Sequence, residues 1–238
     1  MATDNGHRPW LAHFHLQRAF LQIETHAFDA ARAVVDPLLT QVKASGIRGS
    51  EYFLGLILLA RIHLGEQRLA ECRACLDEID ACLVSHPQAI DWILRLPLHA
   101  TASRYWQVRR EWAAARHEAE ALRDLAAGPM ERTYYLLAQT TLIDIAGAAG
   151  ETEQADAAIA AGEQALRAGD APVAAWRFHA SAARCHEQRK RHADAFGAWR
   201  ASAEAVNALA DALTSHPAAR GAFLDHPDVQ TVLRHAPA

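Results

Sequence analysis

Three observations in the sequence predict an all-α solenoid of about five antiparallel helix pairs. Composition is the first: Ala, Leu, Arg and Glu dominate, while Gly (12) and Pro (9) are scarce and sit at apparent breaks. The abundant side chains lose little rotamer freedom in a helix. Apolar spacing is the second: Leu54, Ile57, Leu58 and Ile62, then Leu69, Cys72, Leu76, Ile79 and Leu83, recur at three- and four-residue steps, the spacing of one helix face. The third is a repeat period near 40 residues.

The period shows in five segments that share one pattern: an apolar helix ends, a small or polar turn follows, and an Ala comes shortly after. Those alanines are Ala30, Ala70, Ala115, Ala155 and Ala195, spaced by 40, 45, 40 and 40 residues. Two antiparallel helices joined by a tight turn cross closely just beyond it, and a small side chain there permits an approach of roughly 8–10 Å. Gly65 and Gly150 suit the left-handed residue that ends a helix, whereas Thr25, Arg110 and Lys190 at the matching places are not glycine.

The pattern predicts helices over 9–25, 28–44, 50–64, 67–84, 97–109, 111–127, 130–148, 152–168, 172–188 and 191–214, with a cap over 217–236. Breaks are expected at Ser45-Gly46, His86-Pro87, Gly128-Pro129 and Gly169-Asp170. Grouped in pairs, these give repeats of about 9–45, 50–86, 89–127, 130–168 and 172–214 in a single domain over 1–238. The one 45-residue spacing is assigned to an insertion. Pro97 removes a helical hydrogen bond, so Ala89 to Leu96 is expected to form a separate short helical turn.

Bulk properties narrow the function classes. The 238 residues are 51% hydrophobic and 22% charged, which excludes a disordered chain. The formal charge of −4 and a pI near 6.4 disfavour a nucleic-acid partner. No segment near the start combines a basic region, an apolar core and a small-residue cleavage site, so secretion is not expected. The most apolar stretch, Tyr52 to Ala60, is too short to span a bilayer. Four cysteines do not make a disulfide framework, and a cytoplasmic location is expected.

Catalytic and metal signatures are weak. Cys72 and Cys75 form a CxxC followed by Cys82 and His86. One helix supplies only two of the four ligands zinc needs, and all three cysteines share the stripe of Leu76, Ile79 and Leu83, where Cys acts as a small hydrophobe. His13 and His15 point to different helix faces, and His179 and His186 stand two turns apart. Scattered solvent-facing histidines are therefore expected, with His192. Arg184 to His192 is locally basic and reads as a solvated turn. Glu163 is placed to pair with Arg167. No HExxH, GxSxG, P-loop or GxGxxG is present. Neither a cofactor nor a metal is expected.

Gly65 and Gly150 followed by Ala70 and Ala155, with Ala60 ten residues before Ala70 and Trp199 four after Ala195, resemble the tetratricopeptide repeat. Leu58-Leu59-Ala60-Arg61-Ile62-His63-Leu64-Gly65 is similar to the 40-residue repeats of MalT-like regulators and the signalling ATPases and cyclases related to them. Arg220 to Gln230 resembles the short helices that close such arrays. The resemblance implies a right-handed, tetratricopeptide-like superhelical solenoid with C-terminal capping helices, whose first helices line a concave face. It implies His15, Gln22, Tyr52, Arg104, Gln107, Asp144, Arg177, Arg184 and Glu187 as partner-binding residues on that face. Members that clamp chaperone tails use Asn and Lys, and the matching positions Ala19, Leu59, Arg104, Asp144 and Arg184 disfavour that role.

The function expected is thus a non-catalytic scaffold that binds a peptide or a partner helix. The alternatives are a ligand- or peptide-sensing regulatory module, and an all-α enzyme or metal-binding protein. Nothing in the sequence sets the oligomeric state.

Overall fold

A computed structural model describes residues 8–86, 91–128 and 131–236. Among them the chain is entirely helical and has no strand. The helices are α1 (Arg8–Glu24), α2 (Phe28–Ser45), α3 (Ser50–Gly65), α4 (Leu69–Ser85), α5 (Trp92–Val108), α6 (Trp112–Ala127), α7 (Arg132–Ala149), α8 (Thr152–Ala168), α9 (Pro172–Gln188), α10 (His192–Ala212), α11 (Pro217–Asp225) and α12 (Pro227–His235). Pro87, Ala89, Pro129 and Met130, to which sequence breaks and boundaries were assigned, lie outside the described residues.

Five turns join the members of successive pairs, and all five have the same backbone. Each contains one residue in the left-handed region: His26, Gln67, Arg110, Gly150 and Lys190, with φ of 59, 63, 60, 73 and 57°. Its N–H donates to the carbonyl three residues back, and the following N–H donates to the carbonyl five back, at 2.8–3.3 Å throughout. This is the paired hydrogen bonding that satisfies the last carbonyls of a helix. The next residue caps the second helix with φ near −85° in every case. Only one of the five left-handed residues is glycine. Gly65, which the sequence predicted for that position, does not fill it; it ends α3, and a Cβ there would overlap the Phe28 ring. Gln67 takes the left-handed conformation instead.

The shared turn defines a shared register. Five residues after each left-handed residue stand Ala31, Cys72, Ala115, Ala155 and Ala195, all 3% exposed or less. Seven residues before it stand Ala19, Ala60, Ser103, Ile143 and Ala183, all at most 1% exposed. Four of these five are small, which is what a close antiparallel crossing requires. The first two alanines assigned from sequence are corrected by this register: Ala30 and Ala70 are exposed. Their places at the crossing belong to Ala31 and Cys72, and the true spacings become 41, 43, 40 and 40 residues.

The corrected spacing of 43 residues still exceeds 40, but the expected break at Pro97 is absent. α5 runs unbroken through Pro97. Proline six residues into a helix removes only the one bond to the Ile93 carbonyl. Asp91 holds the start of the helix, its Oδ1 accepting from the Leu94 N–H at 3.1 Å.

Two compact units divide the chain, Met1–Thr101 and Ala102–Ala238. In the first, α1 packs on α2, α3 on α4, and α3 also on both α1 and α2. Its core joins Leu16, Ala19 and Ile23 of α1 to Ala31 and Val35 of α2 and Leu58 and Ile62 of α3. In the second, α7 packs on α6, α8 and α9, and α9 on α10. One core there links Leu136 and Ile143 of α7, Ala155 and Ile159 of α8, and Phe178 and Cys185 of α9. A second core lies on the other side of α9, where Trp176 and Ala183 meet Trp199 and Val206 of α10, Phe223 of α11, and Val229 and Val232 of α12. In both units, first helices touch successive first helices, and a second helix touches the first helix that follows it.

Candidate functional site

The first helices carry their polar residues in the same register. In the second unit, Arg104, Asp144 and Arg184 each stand six residues before the left-handed turn residue of α5, α7 and α9. Their side chains form a chain of contacts across the three helices. Arg104 Nη1 donates to Gln107 Oε1 at 2.7 Å, and Gln107 Nε2 donates to Asp144 Oδ2 at 2.6 Å. The other carboxylate oxygen of Asp144 lies 3.5 Å from Arg184 Nη2, which donates to Ser181 Oγ at 2.8 Å. Four of the nine residues predicted as partner-binding are thereby brought together.

Beside this chain, between α7 and α9, lies a shallow depression lined by Ile143, Asp144, Gly147, Ser181, Arg184 and Gln188, with Cys185. Gly147 keeps α7 low there, since a Cβ would press on Gln188 Oε1 at 3.2 Å. The Arg184 side chain is 48% exposed and that of Asp144 19%. The depression thus presents backbone of α7, an amide, a hydroxyl and an ion pair that water reaches on one side. Such a surface offers donors and acceptors to hydrogen-bonding groups.

In the first unit the residues six before the turn are Phe20 and Arg61. They too touch: the Arg61 guanidinium lies 4.8 Å from the centroid of the Phe20 ring, and Arg61 pairs with the Glu24 carboxylate. Sequence reasoning missed Phe20, Glu24 and Arg61 because it anchored the first two pairs on Ala30 and Ala70. The buried pairs Ala19/Ala31 and Ala60/Cys72, each twelve residues apart, were the signal that would have set the register.

The remaining predicted residues scatter. His15 is exposed on α1. Gln22 is half-buried at the first turn. Tyr52 is corrected: it is 3% exposed, and its hydroxyl donates to Glu78 Oε1 at 2.6 Å. Burial first, then Glu78, pushes that phenol well above its usual range. Arg177 stacks over Trp176, 4.5 Å from the ring centroid, and Nη1 donates to the Val173 carbonyl. Glu187 is exposed and accepts from Trp199 Nε1 of α10 at 2.8 Å.

The basic stretch 184–192 is more than a solvated turn. Arg189 holds both oxygens of Asp156 on α8 at 2.7 Å, and Arg191 reaches the same carboxylate at 3.0 Å. The Arg189 hydrogen bonds hold the Asp156 carboxyl below its usual range; burial opposes them, and the charges of Arg189 and Arg191 add to the lowering. The same device recurs with other charges. Arg32 and Arg116, like Asp156, stand six residues after a left-handed residue, and they pair with Glu66 and Glu151 at the following turns. Glu163 and Arg167 lie 3.9 Å apart, as their spacing predicts.

His186, expected on the surface, is buried, and so is His63. His63 and His186, each four residues before a left-handed residue, are 6 and 7% exposed, and burial lowers both below the usual imidazole value. The thiols of Cys72 and Cys75 are also buried, which pushes them up to about 12 and about 11. All four cysteines are free. Among the described residues no group of three or more His, Cys, Asp or Glu is gathered as a metal would need, and no helix is long and apolar enough to cross a membrane.

Fold and site define an all-helical protein whose paired helices present a linked row of polar side chains on their first members. No family model, no curated protein and no solved structure matches the chain.

Proposed function

We propose that this chain is a non-catalytic interaction scaffold of the tetratricopeptide-like solenoid class, which binds an extended peptide or a partner helix along the first helices α5, α7 and α9. The observation that supports the reading most is the linked row Arg104–Gln107–Asp144–Arg184 beside the depression of Gly147, Ser181 and Gln188. Its donors and acceptors follow one another across successive helices, as the amides and side chains of an extended peptide do. Arg184 contacts Asp144 and Ser181 through Nη2, and its half-exposed guanidinium carries five N–H donors in all. A carboxylate or carbonyl of the partner is the complementary group.

Support for the solenoid class is the common turn, the small residues at the crossings, and the contact of α2 with α3, α6 with α7 and α8 with α9. The free, buried thiols suit a reducing cytoplasm.

Panning a phage-displayed random-peptide library against the purified chain tests the proposal. Enriched peptides are expected to lose binding to Arg184→Glu and Asp144→Lys variants while retaining binding to Arg200→Glu, a substitution on α10. Peptides indifferent to both α7 and α9 substitutions would overturn it. A metabolite that raises the melting temperature of the free chain, with no peptide enriched, would favour a small-molecule sensor.

A further inference from the structure

The two oxygens of Asp144 are met unequally. Oδ2 accepts from Gln107 Nε2 at 2.6 Å, while the cation beside Oδ1, Arg184 Nη2, stands at 3.5 Å, beyond ordinary hydrogen-bond length. That nitrogen donates to Ser181 Oγ at 2.8 Å. Ser181 is 1% exposed, and its hydroxyl accepts this bond but donates none among the described residues. A hydroxyl does both. An acceptor and a donor, each with room for a further partner, thus stand within 3.5 Å of one guanidinium nitrogen and border the same depression. The depression offers about 40 Å³ to the centres of water-sized atoms, and one water takes about 10–15 Å³ on that measure. A planar head of three heavy atoms suits it, and a six-membered ring does not.

We propose that this depression is a subsite for the side-chain carboxamide of a partner's asparagine or glutamine, and that Asp144 is the residue selecting amide over acid. The inference rests on the peptide-binding reading above and narrows the complementary group to a neutral carbonyl. A primary amide carries a donor and an acceptor on one edge. Its N–H reaches Asp144 Oδ1 while its oxygen accepts from the Ser181 hydroxyl or a spare N–H of Arg184. A carboxylate has nothing to donate and lies against the charge of Asp144. An ammonium has nothing with which to accept and lies against Arg184. A trans backbone amide points its N–H and C=O in opposite directions. The polarity of the site is set from α5. Arg104 donates to Gln107 Oε1 at 2.7 Å, which turns Gln107 Nε2 towards Asp144. In an Asp144→Asn chain the new amide oxygen therefore stays on Gln107, and the new NH2 faces the depression as a donor. The preference of that variant is expected to invert to a carboxylate.

Panning two phage-displayed peptide libraries against the full chain tests this, one lacking Asn and Gln and the other lacking Asp and Glu. Only the second is expected to yield peptides whose binding Arg184→Glu abolishes. Replacing the selected Asn or Gln by Asp or Glu in synthetic peptides is expected to weaken binding at least about tenfold, the effect of one unpaired acceptor. The Ser181→Ala chain is expected to bind the amide peptides more weakly than the wild type does. On the Asp144→Asn chain the acid peptides are expected to bind tighter than the amide ones. Circular dichroism checks that both variants keep the helical spectrum, and the amide-against-acid comparison on the wild type decides the matter even if one fails to fold. Arg184-dependent peptides without Asn or Gln, equal binding of amide and acid peptides, or an unchanged preference in a folded Asp144→Asn chain would each overturn the carboxamide subsite while leaving the scaffold reading intact. Arg184-dependent peptides from neither library, when an unrestricted library also gives none, would overturn both.

Discussion

Gly162 on α8 lies against the ring of Phe178 on α9, so closely that a Cβ at Gly162 would overlap the ring. Phe178 is fully buried and joins the core shared by α7, α8 and α9, so the ring has nowhere to retreat. Gly65 and Phe28 repeat the relationship in the first unit.

Gly162→Ala is therefore expected to destabilise by about 1–3 kcal/mol, the usual cost of overpacking a filled core. Gly197 in the helical stretch of α10 has open space around its Cα. There the same substitution is expected to stabilise by about 0.5–1 kcal/mol through helix propensity alone. Chemical denaturation of both variants checks the pair; equal effects would refute the packing argument.

The left-handed residues make a second contrast. A non-glycine residue in that conformation is strained by roughly 1–2 kcal/mol. Lys190→Gly and Arg110→Gly are expected to stabilise by about 1 kcal/mol, and Gly150→Ala to destabilise by a similar amount. Urea midpoints measure this. Destabilisation by Lys190→Gly would show that the turn is not held as described.

Stability should fall on mild acidification. Burial lowers the imidazoles of His63, His179, His186 and His226. In the unfolded chain these groups take up protons as pH falls through about 6.5. The folded chain resists that uptake, so the stabilisation present above that pH is lost below it. The carboxylates held low, Glu71, Glu78 and Asp156, act in the same sense but only in the more acid range of ordinary carboxyls. The melting temperature is expected to drop between pH 7.5 and 5.5, and His63→Gln with His186→Gln to flatten that slope. An unchanged slope in the double variant would contradict the assignment.

Cys72 fills the crossing position that alanine fills in four other pairs. Cys72→Ala is expected to cost less than about 1.5 kcal/mol, and Cys72→Leu about 1–3 kcal/mol. A thiol reagent is expected to label the native chain slowly, because burial keeps the Cys72 and Cys75 thiols protonated. Rapid labelling of either thiol would contradict this.

The helices themselves were legible because apolar residues at three- and four-residue steps decide a helix locally. The turns within pairs three, four and five were legible as well, since Ala115, Ala155 and Ala195 do sit at the crossings. The first two pairs misled because Ala is common enough here to offer an exposed neighbour, Ala30 or Ala70, one or two residues from the true position. In the second pair the true position holds Cys72, which an alanine pattern does not find. Register governs the site more than helix content does: where it was right, Arg104, Gln107, Asp144 and Arg184 proved to be linked. Where it slipped, buried Tyr52 stood in and Phe20 and Arg61 were lost. Contacts between distant residues, such as Asp156 with Arg189, had no local signature at all.

Hydrogen-exchange mass spectrometry of the chain with a library-selected peptide tests the central claim most directly. Slowed exchange is expected on ligand addition in α7 around residues 141–148 and in α9 around 177–188, lost in the Arg184→Glu variant. Protection confined to α8 and α10, with α7 and α9 unchanged, would contradict it.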